Sequence, residues 1–492
     1  MQLKTKILRF IAGRPIAVIH KSTSDKSNIH VGERINISKY SDNIASIVDV
    51  SNDLIEPNEI AVSQEILDFL NIKEDDLVEV SIASKPDSTR YIKKKMDGGT
   101  LDKREIDSII KDIVANALTE AEIAYFVAAV YKNKMNDAEI ESLIWAMVAT
   151  GKRLNFSGEV VDKHSIGGIA ANRTTPIIVS ICAAAGLTMP KTSSRAITSA
   201  AGTADVIEAI AKVEFSGEEI KEIVKKTGAC MVWNGVLGLS PADDKLIQVE
   251  RILGLDPDAQ LLASVLSKKI AVGSKHVIID IPYGKSAKVD IKRGKMLKKK
   301  FEFFGKKFGL NLKCLLTHGG EPIGRGIGPW LEIRDIIKIL KREKDAPKDL
   351  EEKAIFISGK ILELCGKVKT NEGEKLAREI VNSGKAFKKF QEIIHAQHGR
   401  VPTIEEVEKK IGKHRKDIIA KDNFKIKEID NKKINLIASM AGSPMDKGAG
   451  IFLWKHVGEN VKKGEKILTM FSESDSRLNN AVELYEKLGP VR

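Results

Sequence analysis

Between Asp97 and Leu154 the chain sets three amphipathic helices in succession, and from Gly158 it switches to strands alternating with helices. The segments LDKREIDSIIKDIVANAL, TEAEIAYFVAAVYKNKM and NDAEIESLIWAMVATGKRL each open on a capping residue: Asp102, Thr119 and Asn136. Apolar residues follow at three- and four-residue spacing, the mark of a helix with one buried face. Beyond them EVVDKH and HVIIDIP read as strands and TTPIIVSICAAAG as a helix. Such alternation argues for an α/β domain. The intervening run PADDKLIQVERILGLDPDAQLLASVLSKKIAVG is helical again and is expected to pack back on the first helices.

Both ends of the chain are different in kind. Residues 1–86 alternate β-rich runs (RPIAVIH, NIASIVDV, LVEVSIAS) with polar turns and close on SKPDSTR. After Lys425 the chain turns β-rich once more, and VGENVKKGEKILTMF reads as a tight hairpin. The expected organisation is a β-rich domain over 1–86 and a helical domain from 87–157 and 236–272. An α/β domain is expected from 158–235 and 273–424, and a C-terminal β-rich domain over 425–492. A length of 492 residues suffices for several such cores.

Charge and cysteine usage narrow the function classes. The formal charge of +13, from 80 Lys and Arg against 67 Asp and Glu, is mild at this length and would draw in anionic small molecules. The basic run IKRGKMLKKK with FGKK behind it (Lys292–Lys307) has few aromatics for stacking on bases, so it reads as a solvated helix face rather than a nucleic-acid patch. Cys182, Cys230, Cys314 and Cys365 are far apart, which indicates neither a zinc site nor a disulfide framework. No apolar run reaches the ~20 residues of a membrane span. The start MQLKTKILRFIAGRPIAVIH is too interrupted by Lys, Arg and Pro for a signal peptide. A cytoplasmic protein without a metal is expected.

Two segments carry the chemistry. In KTSSRAITSAAGTADVIE (Lys191–Glu208) almost every residue from Thr192 to Ala204 is small, many carry hydroxyls, and Arg195 is the one cation among them. Small residues let backbone amides approach a ligand, and hydroxyls with an arginine suit an anion. In VVDKHSIGGIAANRTTPIIV a strand delivers Lys163, His164 and Ser165 to its end, two glycines follow, and a helix is expected to begin near Asn172. Glycine-loop amides and a helix N-terminus make an anion site to which Lys163 adds a full charge. His164 reads as structural. Together the loops predict a ligand bearing phosphate. A third segment, with Asp256, Ser264 and Lys268, supplies polar groups that could face them. GRGIGP (Gly324–Pro329) lacks dinucleotide-fingerprint spacing, and MDKGAG (Met445–Gly450) is a poor match to a modified-lysine hairpin.

These residues resemble the class II nucleoside phosphorylase family, which includes thymidine and pyrimidine nucleoside phosphorylases. The likeness runs from about residue 87 to 490 through VDKHSIGG, SSRAITSAAGTADVIE, PADDKL, ASVLSKK, EPIGRGIGP, ISGKILELCGK, SGKAFKKFQEIIHAQHG and DKGAGI. The extra N-terminal domain, with SRAITSAAGTAD and LDPDAQ, is most similar to the archaeal-type AMP phosphorylases. The resemblance implies a helical domain beside a larger α/β domain, with the active site in the cleft between them. It also implies a homodimer or larger homo-oligomer. The implied reaction, in nucleotide salvage or degradation, is phosphorolysis of AMP to adenine and ribose 1,5-bisphosphate, with inorganic phosphate as co-substrate and no cofactor.

By the same resemblance Lys163, Ser165, Thr174, Ser193 and Thr203 hold the attacking phosphate, and Asp256 protonates the departing base. AMP falls to Gly168, Ser194, Arg195, Ala196, Ile197, Thr198, Ser199, Thr203, Ser264 and Lys288, with Arg195 and Lys288 as the cations for its 5′-phosphate. Pyrimidine enzymes of the family read their base with an arginine in an LRD motif; here the matching stretch is QVERI, and the position falls on Val249 or Glu250. That departure favours a purine nucleotide, with CMP and UMP left open. A pyrimidine nucleoside phosphorylase is the alternative; a phosphoribosyltransferase and a non-catalytic nucleic-acid-binding protein stand further off.

Overall fold

Six short strands at the N-terminus close on themselves, which leaves no free sheet edge. They are β1 (Gln2–Ile7), β2 (Ile16–His20), β3 (Arg34–Lys39), β4 (Asp42–Ser51), β5 (Glu59–Val62) and β6 (Leu77–Ile82), joined in the order β1-β5-β2-β4-β3-β6. Alternate residues point inward, so Leu3, Ile19, Ile35, Ile37, Val48, Ile60, Val78 and Val80 fill the barrel. This computed structural model describes residues 1–196 and 199–492.

The chain divides into two compact units: Met1–Gly151 with Ser240–Ser267, and Lys152–Leu239 with Lys268–Arg492. The barrel thus shares the first unit with the helices Ser88–Met96, Lys103–Val114, Glu120–Asn133, Asp137–Ala149 and Pro241–Leu253. Capping boxes close the N-termini at Asp102, Thr119 and Asn136, each pairing an N-cap side chain with a glutamate three residues on. Lys245 fastens the later segment to the earlier one, its ammonium donating to the Ile113 and Val114 carbonyls at 2.8 and 3.0 Å. Burial draws its pKa down to about 8.

The second unit is built on parallel strands: β7 (Val161–Ser165), β8 (Met189–Ser193), β9 (Ala229–Trp233), β10 (His276–Tyr283) and β11 (Asn311–His318). β10 pairs in parallel with β7 on one side and β11 on the other, β8 pairs with β9, and a parallel bridge from Val160 to Thr188 joins the two pieces. Because the strands run the same way, their carboxyl ends lie along one edge, where open α/β sheets bind ligands. The helix Thr174–Ala184 is buried on every side and belongs to a core with Ile333, Ile337, Ile355, Leu362, Phe390 and Ile393. Its N-cap is Arg173, so Asn172 stays outside the helix expected to begin near it.

Six strands follow: β12 (Gly326–Ile327), β13 (His414–Ile419), β14 (Phe424–Lys425), β15 (Gly450–Leu453), β16 (Asn460–Val461) and β17 (Lys466–Ser472). VGENVKKGEKILTMF is not the hairpin its turn residues suggest. β16 pairs with β14, while β17 lies between β15 and β13 in the sheet β12-β15-β17-β13. The lysine-rich helix Ile291–Lys307 buries Leu297, Phe301 and Phe304 on one face. Among the described residues no helix is long and apolar enough to cross a membrane, and no cluster of His, Cys, Asp or Glu could hold a metal.

One buried ion pair anchors the helices of the first unit. Lys95, 3% exposed, meets Glu139, 2% exposed, at 2.8 Å, and the same carboxylate accepts the Leu101 and Asn136 amides. Lys95→Met leaves Glu139 buried without its counter-charge. We expect a loss of about 3 kcal/mol, read as a lowered midpoint in urea unfolding; an unchanged midpoint would refute the anchoring role.

Candidate functional site

The carboxyl edge of the parallel sheet gathers buried charge. β7 presents Asp162, Lys163, His164 and Ser165 in sequence, and β10 presents Asp280 in register with Ser165. Lys163 is 1% exposed and donates to Thr174 Oγ1 at 3.1 Å, bringing the strand-end lysine onto the first residue of the helix Thr174–Ala184. Asp280, fully buried, accepts from Thr317 Oγ1 at 2.6 Å and meets Lys353 at 3.3 Å. Asn172 spans the gap, its amide 3.3 Å from Ser165 Oγ and 3.5 Å from Asp280.

Cations outnumber carboxylates here, with consequences for protonation. Burial brings Lys163 down to about 7; Asp280 opposes the shift, and Lys353, Lys191 and Arg173 add to it. Asp162 sits between Lys191 and Lys269, which hold its carboxyl below the usual range against its burial. Desolvation and the neighbouring lysines keep His164 well below the ordinary imidazole value, so it is neutral at pH 7. It fits a structural role.

Two loops close over this edge. After Ser165 the chain turns through Gly167 and Gly168, both with φ near +90°. A Cβ at Gly168 would fall 2.5 Å from the Lys288 amide nitrogen, so this glycine is needed for two reasons, and it brings Lys288 against the loop. The second loop leaves β8 at Ser193 and returns at Thr203. Asp205 accepts the Ala196 and Gly202 amides at 2.7 Å each, and Ser199 Oγ donates to the Ala201 carbonyl at 2.6 Å. A Cβ at Gly202 would meet the Ser194 carbonyl at 2.6 Å. Ile197 and Thr198 lie outside the described residues.

Arg173 joins the loops. Its guanidinium donates to Thr203 Oγ1 at 3.0 Å and to the Ala201 carbonyl, and pairs with the buried Glu332. Lys163 thus bonds to Thr174, Ser165 to Asn172 and Thr203 to Arg173, so the three consecutive residues 172–174 gather all four expected side chains apart from Ser193. Ser193 Oγ is buried with no hydrogen-bond partner. Such a hydroxyl is costly unless something occupies the space beside it.

Arg195, expected to meet the 5′-phosphate of AMP, is paired with carboxylates of its own chain. Its guanidinium forks onto Glu208 at 2.8 and 2.7 Å, reaches Glu214 at 3.0 Å and Asp205 at 3.4 Å, and stacks over Trp233 at 4.6 Å. Glu208 is held down to about 2, first by Arg195, and Lys447 from the DKGAG segment is its second partner. Three carboxylates already balance this cation. A phosphate reaching its guanidinium would have to displace one of these carboxylates. Asp256 and Ser264 belong to the first unit, both half-buried, Asp256 just before the helix Asp258–Val272 and Ser264 on it.

Sequence reasoning missed Asp162, Arg173, Lys191, Asp280 and Lys353. Asp280 carried a usable signal, since an aspartate inside the apolar run HVIIDIP must be paired. Lys353, on a helix 73 positions further along, carried none.

Burial brings the Lys163 ammonium to about 7, so an anion held by it would be bound in a pH-dependent way. The lysine is charged below that value and neutral above it, so affinity for sulfate, which does not titrate between pH 6 and 9, should fall as pH rises through 7 to 8. Lys163→Arg should flatten the profile and Lys163→Met should abolish the dependence. Calorimetry with sulfate gives the answer, and a flat wild-type profile would count against Lys163 as the receptor.

Comparisons with known proteins identify the family. Residues 89–151 match the helical bundle domain of the glycosyl transferase family, 157–387 its a/b domain, and 425–490 the pyrimidine nucleoside phosphorylase C-terminal domain. The chain is 43% identical to the AMP phosphorylase of Thermococcus kodakarensis, over 100% of this chain and 98% of the relative. It is 42% identical to that of Methanocaldococcus jannaschii (97% and 95%) and 42% to that of Pyrococcus furiosus (100% and 98%). The crystal structure of anthranilate phosphoribosyltransferase from Thermus thermophilus superposes with a TM-score of 0.52 at 19% identity, over 63% of this chain and 99% of that one, a likeness of fold.

Proposed function

The chain belongs to the AMP phosphorylase family, and on that premise we propose that it splits AMP with inorganic phosphate into adenine and ribose 1,5-bisphosphate. The observation that carries the reading is the buried, cation-rich strand edge, with Lys163 against Thr174 and the unpartnered Ser193 hydroxyl close in sequence to the second loop. Lys163, Ser165, Thr174, Ser193 and Thr203 are assigned to the attacking phosphate. The 5′-phosphate and ribose of AMP are assigned to Gly168, Lys288, Ser264 and the 194–199 segment with Thr203.

A phosphate oxygen forms its bond to C1′ of the ribose as the glycosidic C–N bond breaks, through a state with oxocarbenium character. The bonding pair leaves with the base, and Asp256 delivers the proton that makes adenine a neutral leaving group. General acid catalysis of this kind contributes ~10²–10⁴ in rate. Phosphate is a co-substrate, and the chemistry calls on no other group. A homo-oligomer working in the cytoplasm belongs to the same reading.

Purine over pyrimidine is supported at QVERI. Neither Val249 nor Glu250, on which the position of the base-reading arginine falls, carries a positive charge.

The test is release of free base from AMP, adenosine, CMP, UMP and thymidine, each with and without phosphate. Adenine from AMP, only with phosphate present, is expected; release from thymidine alone would overturn the reading. Asp256→Asn should lower kcat by about 10²–10⁴ with little change in AMP binding measured by calorimetry. A comparable loss of binding would move Asp256 from acid to ligand.

A further inference from the structure

Each loop at the carboxyl edge of the parallel sheet is irregular chain, and each needs something to fix it. One element touches four of them. The helix Asn431–Met440, in the C-terminal portion, carries two buried asparagines one turn apart, Asn431 at 0% and Asn435 at 6% exposure. Residues four apart share a helix face.

Asn431 holds three loops with one side chain. Its Oδ1 accepts the Ala170 amide at 3.0 Å, on the glycine loop after β7. Its Nδ2 donates to Ser286 Oγ at 3.0 Å, on the loop after β10 that leads to Lys288, and to the Gly319 carbonyl at 3.3 Å, just after β11. Its backbone amide also donates to Ser286 Oγ, at 3.2 Å. Asn435 takes the fourth loop. Its Oδ1 accepts the Ala200 amide at 3.0 Å, and Ser443 Oγ, beyond the end of the same helix, donates to the Ala200 carbonyl at 3.1 Å. Both polar groups of Ala200 are thereby satisfied from the C-terminal portion.

We propose that Asn431 and Asn435 are positioning residues for the reaction: they act through the loops, without contact to substrate, by holding all four at one spacing before ligand arrives. The proposal rests on the reading of the loops after β7, β8 and β10 as the phosphate- and nucleotide-binding elements. A loop set in advance spends no binding energy on being ordered. A loop released from its asparagine must be ordered by both substrates on binding, so the loss appears in KM for each and largely spares kcat.

The experiment uses the full chain, with steady-state kinetics, hydrogen–deuterium exchange and melting temperature on the same samples. Asn435→Ala should raise KM for both AMP and phosphate about tenfold, the worth of one buried hydrogen bond, with kcat within about threefold. Exchange should quicken in peptides carrying Ala200, while those from the Thr174–Ala184 helix stay protected. Asn431→Ala should instead quicken exchange around Ala170, Ser286 and Gly319. Should either variant fail to fold, Ser443→Ala removes the other bond to the Ala200 peptide and should give the Asn435 pattern in weaker form. Unchanged KM and exchange in a folded variant overturn the proposal, as does faster exchange spread evenly over the chain. If the wild-type chain fails to release adenine from AMP while the two exchange patterns appear as described, the clamp is supported and the substrate reading is what fails.

Discussion

Buried charge that is not quite balanced governs this molecule. Around the carboxyl edge of the parallel sheet stand Lys163, Lys191, Lys269, Lys353 and Arg173, against Asp162, Asp280 and Glu332. An ion withdrawn from water must be paired or neutralised. Deprotonation relieves part of this cationic excess: burial draws Lys163 down to about 7 and Lys269 to about 8. A bound phosphate would relieve it by pairing.

That charge cluster could not be held by loops alone, and the fold answers with regular elements. Lys163 and Asp280 sit within paired parallel strands, Thr174 and Lys353 on buried or well-packed helices. The loops then need only supply amides and hydroxyls at fixed distances, and those distances are set by residues behind them: Asp205 and Arg173 from within the α/β portion, Asn431, Asn435 and Ser443 from the C-terminal portion. The C-terminal portion has its own apolar core, yet that core includes Ala170, Ala171 and Ala200 from the two loops. Packing and hydrogen bonding thus make the same connection.

What was legible in the sequence was what is local. The capping boxes at Asp102, Thr119 and Asn136 declared three helices, because a cap and its glutamate are three residues apart. The glycine pair after Ser165 and the hydroxyl-rich run after β8 declared loops built for close approach. What was not legible depends on partners far along the chain. Arg195 looked like a free cation because Glu208, Glu214 and Trp233 can be placed beside it only by the fold. VGENVKKGEKILTMF looked like a hairpin because its turn residues are right, but β17 finds its partners at residues 414–419 and 450–453. Asn431 and Asn435 gave a pattern that any helix of mixed polarity would give.

The proposed division of labour between Asp256 and the buried charge cluster follows from the charge balance described above. A carboxyl placed among these lysines is driven to ionise: Asp162 and Asp280, fully buried, are still held below the ordinary range by the ammonium groups they face. Such a group could accept hydrogen bonds but could not donate a proton to a leaving base. An acid for that step has to come from outside the cluster. Asp256 belongs to the compact unit that contains none of those five cations. If it is the acid, its separation in the chain from Lys163 and Asp280 is a requirement of the chemistry: the groups that bind phosphate and the group that gives up a proton need opposite electrostatic surroundings, and one cluster cannot provide both.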